Sequence, residues 1–521
     1  MPVIVTIFAF VYMLCALGLV LFSLNLSVLF VLWLLHRNDD VALPSLNGSE
    51  WPTVTVQLPI YNENAVAERL IDTVAAMDYP RNRLQIQIVD DSDDETSATV
   101  AKLVSQYQCA GMNITHVQRT NREGFKAGGL AYGLQHSDDE FIAMFDADFM
   151  PFSDFLRRTI PYFVADSELG IIQTRWIHLN AQQNLLTRIQ ALGIDRHFVV
   201  EQMARNRGGL LTGFNGSGGV WRRSCIDDSG GWSGKTETED LDLSYRAQMR
   251  GWHYLYLPDV EVAAELPPQI IALKRQQARW SKGTTQNLLQ LSGRLWRCKN
   301  LNIFQKVMGT LHLCQYLPQT MLLILTLLTP PLLLANVLER LPLISVGVVS
   351  LVAPMMYLAS QYRLYTDWGR RFLVLPILMA VGSGMVFNNT MASMQALLRR
   401  PSVFKRTPKF SDKSWQNSRY ALRLNWTVLF EVLMIIYTAF GGVVALFKMP
   451  GMAPFLFLQT YGFGAVVFWS VFEEWKIRRK WPATKETSTE KPDKVRSNSR
   501  PKAHESSQID SKVKSNEYHR S

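Results

Sequence analysis

The chain predicts an α/β fold: a doubly wound, mainly parallel sheet inserted between transmembrane helices. Short apolar strands alternate with amphipathic helices between 54 and 145, two of those strands stop abruptly on aspartates, and long charge-free apolar segments stand on both sides of this region.

At 521 residues the chain is long enough for two or three domains. Residues 1–35 carry no charged side chain, which is enough to cross a bilayer of roughly 30 Å. The competing reading, a cleaved signal peptide, lacks a basic start and a small-residue cleavage site. The formal charge of +10 is unevenly placed. From 476 to 521, thirteen Lys and Arg stand against six Asp and Glu, so the rest is near neutral and gives no footing for a nucleic-acid partner. That tail, rich in Ser, Lys, Pro and Glu, reads as disordered. Five scattered cysteines, with no metal-ligand spacing, fit a reducing cytosolic setting for the middle of the chain.

Taken in order, Val54–Ile60 reads as a strand, 63–77 as a helix and 84–89 as a second strand stopped by Asp90-Asp91-Ser92. A helix over 95–107, a strand over 113–118 and a buried strand over 141–145 follow, the last ended by Asp146-Ala147-Asp148. Ligands of open α/β sheets bind beyond the carboxyl ends of the strands, which brings these aspartates to one rim. An aspartate after a strand is also an ordinary turn residue or helix cap. Asp146 and Asp148 are two hard oxygen ligands suited to Mg²⁺ or Mn²⁺ carrying a diphosphate. Lys126, on the glycine-rich Gly124-Phe125-Lys126-Ala127-Gly128-Gly129, can approach phosphate.

Residues 156–205 are mostly helical in pattern, and Asn215-Gly216-Ser217-Gly218-Gly219 is a glycine turn that either underlies a sugar or is a plain tight turn. Glu237, Glu239, Asp240 and Asp242 then crowd the start of a helix over 240–251. Helix-dipole stabilisation accounts for acidic residues there, and so does a base that takes a proton from an acceptor hydroxyl. On the helical stretch 267–291, Gln276, Arg279 and Trp280 share one face. Arg279 suits a bidentate phosphate contact and Trp280 an apolar plane under a pyranose, while a membrane-surface helix is compatible with both. Apolar segments resume at 307–338, 341–359, 372–398, 426–447 and 455–472. The basic stretch 399–423 belongs in the cytosol. So does the basic loop 363–371, which leaves the segment between them, or a short neighbour, unable to cross simply once.

These motifs together resemble the membrane-embedded, processive family 2 inverting glycosyltransferases, in particular the cellulose-synthase-like A group of glucomannan 4-β-mannosyltransferases and, more distantly, bacterial cellulose synthase. The resemblance runs from 54 to 409 on an ordered set: Val89-Asp90-Asp91-Ser92, Phe145-Asp146-Ala147-Asp148-Phe149, Gly213-Phe214-Asn215-Gly216, Thr238-Glu239-Asp240 and Gln276-Gln277-Ala278-Arg279-Trp280. It implies a GT-A-like nucleotide-sugar-binding sheet. Asp90 and Asp91 would hold the nucleoside, Asp146 and Asp148 the metal diphosphate, and Asp240 would be the base beside Glu239. Arg279 would contact the diphosphate and Trp280 the acceptor at the mouth of a membrane channel. Phe404, Thr407 and Lys409 resemble a gating loop. The leading span is single here, and no cyclic-dinucleotide domain follows.

The expected organisation is a transmembrane helix over 1–36, a cytosolic glycosyltransferase domain over 52–300, transmembrane and interfacial helices over 301–398, a basic gating-like loop over 399–425, transmembrane helices over 426–473 and a disordered tail over 474–521. The expected function is a multi-pass enzyme of the plasma (inner) membrane that transfers a hexose from UDP-glucose or GDP-mannose, with inversion, to a β-linked polysaccharide. Its partners are a nucleotide sugar, a glycan or lipid acceptor, membrane lipids and export partners of unknown kind. The alternatives are a glycolipid synthase and a non-catalytic membrane scaffold.

Overall fold

The computed structural model describes residues 3–46, 51–119, 121–341, 351–400 and 422–480. The helices up to residue 334 are α1 (Val3–His36), α2 (Asn64–Ala75), α3 (Thr96–Cys109), α4 (Phe125–Leu134), α5 (Phe155–Ala165), α6 (Leu185–Arg196), α7 (Met203–Arg207), α8 (Arg223–Asp228), α9 (Glu239–Met249), α10 (Ile270–Arg297), α11 (Ile303–Leu313) and α12 (Leu317–Leu334). The strands are β1 (Val54–Ile60), β2 (Leu84–Asp90), β3 (Ile114–Gln118), β4 (Phe141–Met144), β5 (Met150–Pro151), β6 (Leu169–His178), β7 (Gly219–Arg222) and β8 (His253–Ala264). They form one sheet in the order β3-β2-β1-β4-β7-β6-β8-β5.

Strands β1 to β4 are mutually parallel, and β6 and β8 are parallel to each other, whereas β7 and β5 pair antiparallel with their neighbours. The chain builds outward from β1 through β2 to β3, then returns to place β4 on the other side of β1. That reversal opens the crevice in which ligands of such sheets bind. Helices cover both faces, so β1 is buried almost throughout. Its deeply buried amide, Gln57, is paired through its nitrogen in register: Gln57 Nε2 donates to Gln87 Oε1 at 2.8 Å, and Gln87 Nε2 donates to the Gly133 carbonyl at 2.9 Å.

The expectation that 156–205 is mostly helical needs correction, because ten residues of it form β6. Leu169, Ile171 and Ile172 are buried between β7 and β8, so strand partners distant in sequence override the local pattern. The apolar segment 307–338 is likewise two helices, α11 and α12, separated by a turn at Cys314 to Tyr316.

Among the described residues four helices are long and apolar enough to cross a membrane: Val3–His36, Leu317–Leu334, Thr427–Lys448 and Pro450–Arg479. The segment whose crossing was ambiguous is a pair of helices, Trp368–Gly384 and Val386–Leu397, bent by 43°. The start of α10 is fastened to these helices. Glu473 accepts from the Ile270 N–H at 3.0 and 3.1 Å, and Lys274 pairs with Glu431, both fully buried. A buried ion pair at this depth is tolerated only when complete.

Candidate active site

Six elements meet at the switch point. The carboxyl ends of β1, β2 and β4, the first turns of α4 and α9 and one flank of α10 line a cleft of about 140 Å³, bounded by Tyr61, Asp91, Arg122, Lys126, Asp146, Asp148, Glu239, Gln276 and Arg279.

The aspartates after β2 divide their work. Asp90 is buried and accepts from the Ser92 N–H at 2.8 Å and from His116 Nε2 at 2.9 Å. Burial pushes its pKa up, but the His116 and Ser92 hydrogen bonds win and hold it below the usual carboxylate value. It stays behind the cleft and shapes the loop. Asp91 faces the cleft but is chelated by Arg119, whose guanidinium also donates to the carbonyls of Glu123 and Phe125 at 2.9 Å. Arg122 then lies over the Tyr61 ring, 3.3 Å from its centroid. Neither Arg119 nor Arg122 was singled out from the sequence. Each is a lone basic residue in the loop after β3, seven and four residues before Lys126, and nothing local marks it until its aspartate or aromatic partner is known.

Lys126 is the hub of the cleft. Its ammonium lies 2.5 Å from Asp146 Oδ1, 2.8 Å from the Gly216 carbonyl and 3.9 Å from Glu239 Oε1. Burial alone would lower its pKa, but Asp146 and Glu239 raise it further, so the charge is retained. Asp148, two residues on, is 2% exposed and lines the same cleft. Among the described residues no group of three or more His, Cys, Asp or Glu is arranged to hold a metal ion.

The four acidic residues at the start of α9, Glu237 just before it and Glu239, Asp240 and Asp242 in its first turn, are sorted by their partners. Glu237 pairs with Lys282 at 2.9 Å, and its N–H donates to Gln286 Oε1 at 2.9 Å. Asp242 pairs with Arg246 one turn along α9, at 2.7 and 2.9 Å. These two are structural. Glu239 and Asp240 remain at the cavities, and the turn that carries them is gripped by α10. Asn287 Nδ2 donates to the Thr238 carbonyl and hydroxyl at 3.0 and 2.9 Å. A Cβ at Gly283 would stand 2.6 Å from Thr238 Oγ1, so only glycine permits that approach.

Asp240 stands at the wall between the cleft and a second cavity of about 370 Å³. Glu239 lines the first, Asp240 the second, and Gln276 lines both. Burial, then the neighbouring charge of Glu239, raises Asp240 to about 7 against the opposing pull of Lys126. The loop beneath is Phe214-Asn215-Gly216, in which Gly216 has φ +84° and a Cβ would lie 2.9 Å from Asp240 Oδ2. The larger cavity carries aromatic walls (Trp176, Phe198, Phe214, Trp280) and a polar rim (His197, Glu201, Gln202, Asn215, Gln277), and ends against Gln319 of α12 and Val381 of the bent pair. The expectation that Gln276, Arg279 and Trp280 share one face needs correction: consecutive residues diverge around a helix, so Arg279 lines the cleft and Trp280 the larger cavity. Phe404, Thr407 and Lys409 lie outside the described residues.

The chain is similar to known proteins over this region. Residues 52–283 match the model of "Glycosyltransferase like family 2". Glucomannan 4-beta-mannosyltransferase 7 of Arabidopsis thaliana is 38% identical over 323 residues, 58% of this chain and 58% of that protein. Glucomannan 4-beta-mannosyltransferase 1 of Oryza sativa subsp. japonica is 40% identical over 274 residues, 52% of each. The match therefore spans little more than half the length of these relatives. A solved mannosyltransferase from Pyrobaculum calidifontis, in complex with GDP-Man and Mn²⁺, overlays 74% of this chain and all of its own at 20% identity, with a TM-score of 0.47. The segment that matches the family model, 52–283, contains the cleft and the acidic turn.

Proposed function

We propose that the chain is a membrane-embedded, inverting hexosyltransferase that extends a β-linked glycan from a nucleotide sugar. The observation that carries this reading is the position of Asp240, between a charge-lined cleft on one side and an aromatic, polar-rimmed cavity reaching the membrane helices on the other.

In this reading the donor lies in the cleft. Its nucleoside sits beside Tyr61, Asp91 and Arg122, with Asp90 supporting the loop from behind, and its diphosphate lies by Lys126 and Arg279. Asp146 and Asp148 are two oxygen donors on one rim, which fits Mg²⁺ or Mn²⁺ with its remaining positions left to water and diphosphate. A cation bound there supplies charge against the leaving diphosphate. The acceptor sugar stacks on Trp280 in the larger cavity, with Gln276 between the two substrates. Asp240 takes the proton from the acceptor hydroxyl as that oxygen attacks the anomeric carbon from the face opposite the diphosphate. The glycosidic bond forms, the bond to diphosphate breaks, and Lys126 and Arg279 hold the charge released. Glu239 keeps Lys126 oriented towards this point.

The names of the relatives favour mannose, with glucose, as the sugar transferred, and GDP-mannose as the first donor to try. The domain is placed in the cytosol because Arg37 follows α1 directly and basic residues recur at 363–371. Asp240→Asn tests the mechanism. Transfer should fall by on the order of 10² to 10⁴, the usual cost of a positioned base, while nucleotide-sugar binding persists. Turnover near wild type removes Asp240 from the role. Sizing the radiolabelled product made in vesicles tests the acceptor, since short organic-soluble products would replace the polymer with a glycolipid.

A further inference from the structure

A charged feature lies away from both cavities, at the turn 362–373, where the helix Val352–Leu364 gives way to the bent pair that begins at Trp368. The turn carries three arginines, Arg363, Arg370 and Arg371, against one acid, Asp367. Arg371 is committed: its Nε lies 2.8 Å from Asp367 Oδ1, and its guanidinium covers the Tyr365 ring at 3.6 Å. Arg363 and Arg370 are exposed and meet no hydrogen-bond or ion-pair partner among the described residues.

The turn is pinned from beneath. Gln361 Nε2 donates to Asp195 Oδ2 at 3.0 Å, and the Tyr365 hydroxyl hydrogen-bonds the same carboxylate. Asp195 is buried in the last turn of α6, with its other oxygen 3.2 Å from His178 of β6. Across the turn, Trp368 packs edge-on against Tyr362 with ring centroids 5.9 Å apart. The backbone that carries Arg363 and Arg370 is therefore fixed to the catalytic sheet and ordered before any anion binds.

The surroundings say which anion. Tyr362 is 69% exposed, Trp368 38% and Leu373 74%. Aromatic rings beside cations at the end of an apolar helix suit the membrane–water boundary, where the rings sit at headgroup level and the cations meet lipid phosphate. With Asp367 taken by Arg371, the surface presents a net positive charge to that boundary. We propose that the turn 362–373 is a docking surface for anionic phospholipid. Arg363 and Arg370 hold the headgroup phosphate, and Tyr362, Trp368 and Leu373 lie against the glycerol and the upper acyl chains. This reading of the turn rests on the membrane placement of the helices and is independent of the transfer chemistry.

The test uses the full chain in neutral phosphatidylcholine vesicles to which phosphatidylglycerol is added in steps. The readout is the unfolding midpoint, which a lipid that binds the folded protein raises. An arginine near an anionic surface strengthens binding by about five-fold, so Arg363→Gln combined with Arg370→Gln should weaken the apparent affinity for phosphatidylglycerol by roughly twenty- to thirty-fold. Because neither arginine has a partner among the described residues, the midpoint in pure phosphatidylcholine should stay at the wild-type value. Lys476→Gln combined with Arg479→Gln removes the same charge from another helix end, where both cations lie over the Phe472 and Trp475 rings, and should leave the response intact. Equal loss in the two double variants, or a wild-type response without Arg363 and Arg370, overturns the inference. So does a matching rise when glycerol phosphate is added to pure phosphatidylcholine vesicles, which makes the ligand a soluble phosphate. A missing lipid response with transfer intact leaves the glycosyl-transfer reading standing.

Discussion

Gly216→Ala isolates how closely the loop must approach the proposed base. Two costs are readable from the structure. The first is backbone strain: φ is +84°, a left-handed conformation that costs a residue with a Cβ about 1 to 2 kcal/mol. The second is local. The new Cβ would stand 2.9 Å from Asp240 Oδ2, whereas ordinary contact begins at 3.4 Å, so the carboxylate must retreat by about 0.5 Å. A displacement of ~1 Å of a reacting group costs on the order of 10²-fold, so about ten-fold or more is expected here. Gly111→Ala supplies the control. Its φ is +78°, and a Cβ there meets nothing within 4 Å, so it carries the strain without the clash. Both variants should lower the unfolding midpoint by a few degrees, because ~1 kcal/mol shifts a domain of this size by about 2 to 4 °C. Only Gly216→Ala should lose turnover at saturating donor. Equal turnover in the two variants would refute the claim that the loop and Asp240 are in steric register.

Three further outcomes follow from the same site. Asp240 must be ionised to accept a proton, and its value of about 7 places the acid limb of kcat/KM near pH 7, with activity present above the limb and lost below it. Because this value lies above that of the unfolded chain, the folded state holds the proton more tightly. Ionising Asp240 therefore costs stability as pH rises through about 7, and Asp240→Asn should flatten that part of the stability profile. Chelation of divalent cations should abolish transfer, with recovery on adding Mn²⁺ or Mg²⁺. Recovery should fail in Asp148→Asn, and a wild-type response in that variant counts against the cation site.

Much of the site was legible before any tertiary structure, because its signals are local. An apolar run that ends on Asp90 or on Asp146 marks a strand and its carboxyl end in a handful of residues. The mainly parallel sheet follows from the repetition of that pattern with helices between. Strand β6 was not legible, since Leu169, Ile171 and Ile172 are stabilised by β7 and β8 partners about 50 and 85 residues away. Arg119 and Arg122 were passed over because a lone basic residue in a loop carries no signal until its aspartate or aromatic partner is known.

The sequence by itself determined that a nucleotide-binding type of sheet, an acidic turn and membrane helices share one chain, because each is written in composition and short periodicity. It placed Gln276, Arg279 and Trp280 on one helix, but on one shared face of it, which the structure divides. Only the tertiary structure decided which of the four acidic residues remain at the cavities. The Asp242–Arg246 pair is four residues apart, but Glu237 finds Lys282 across 45 residues. It also decided that Arg279 and Trp280 face separate cavities, with Asp240 at the wall between them. Short spacings fix which residues are neighbours along an element, whereas the partner that neutralises a charge or seals a cavity comes from another element, and only packing brings the two together.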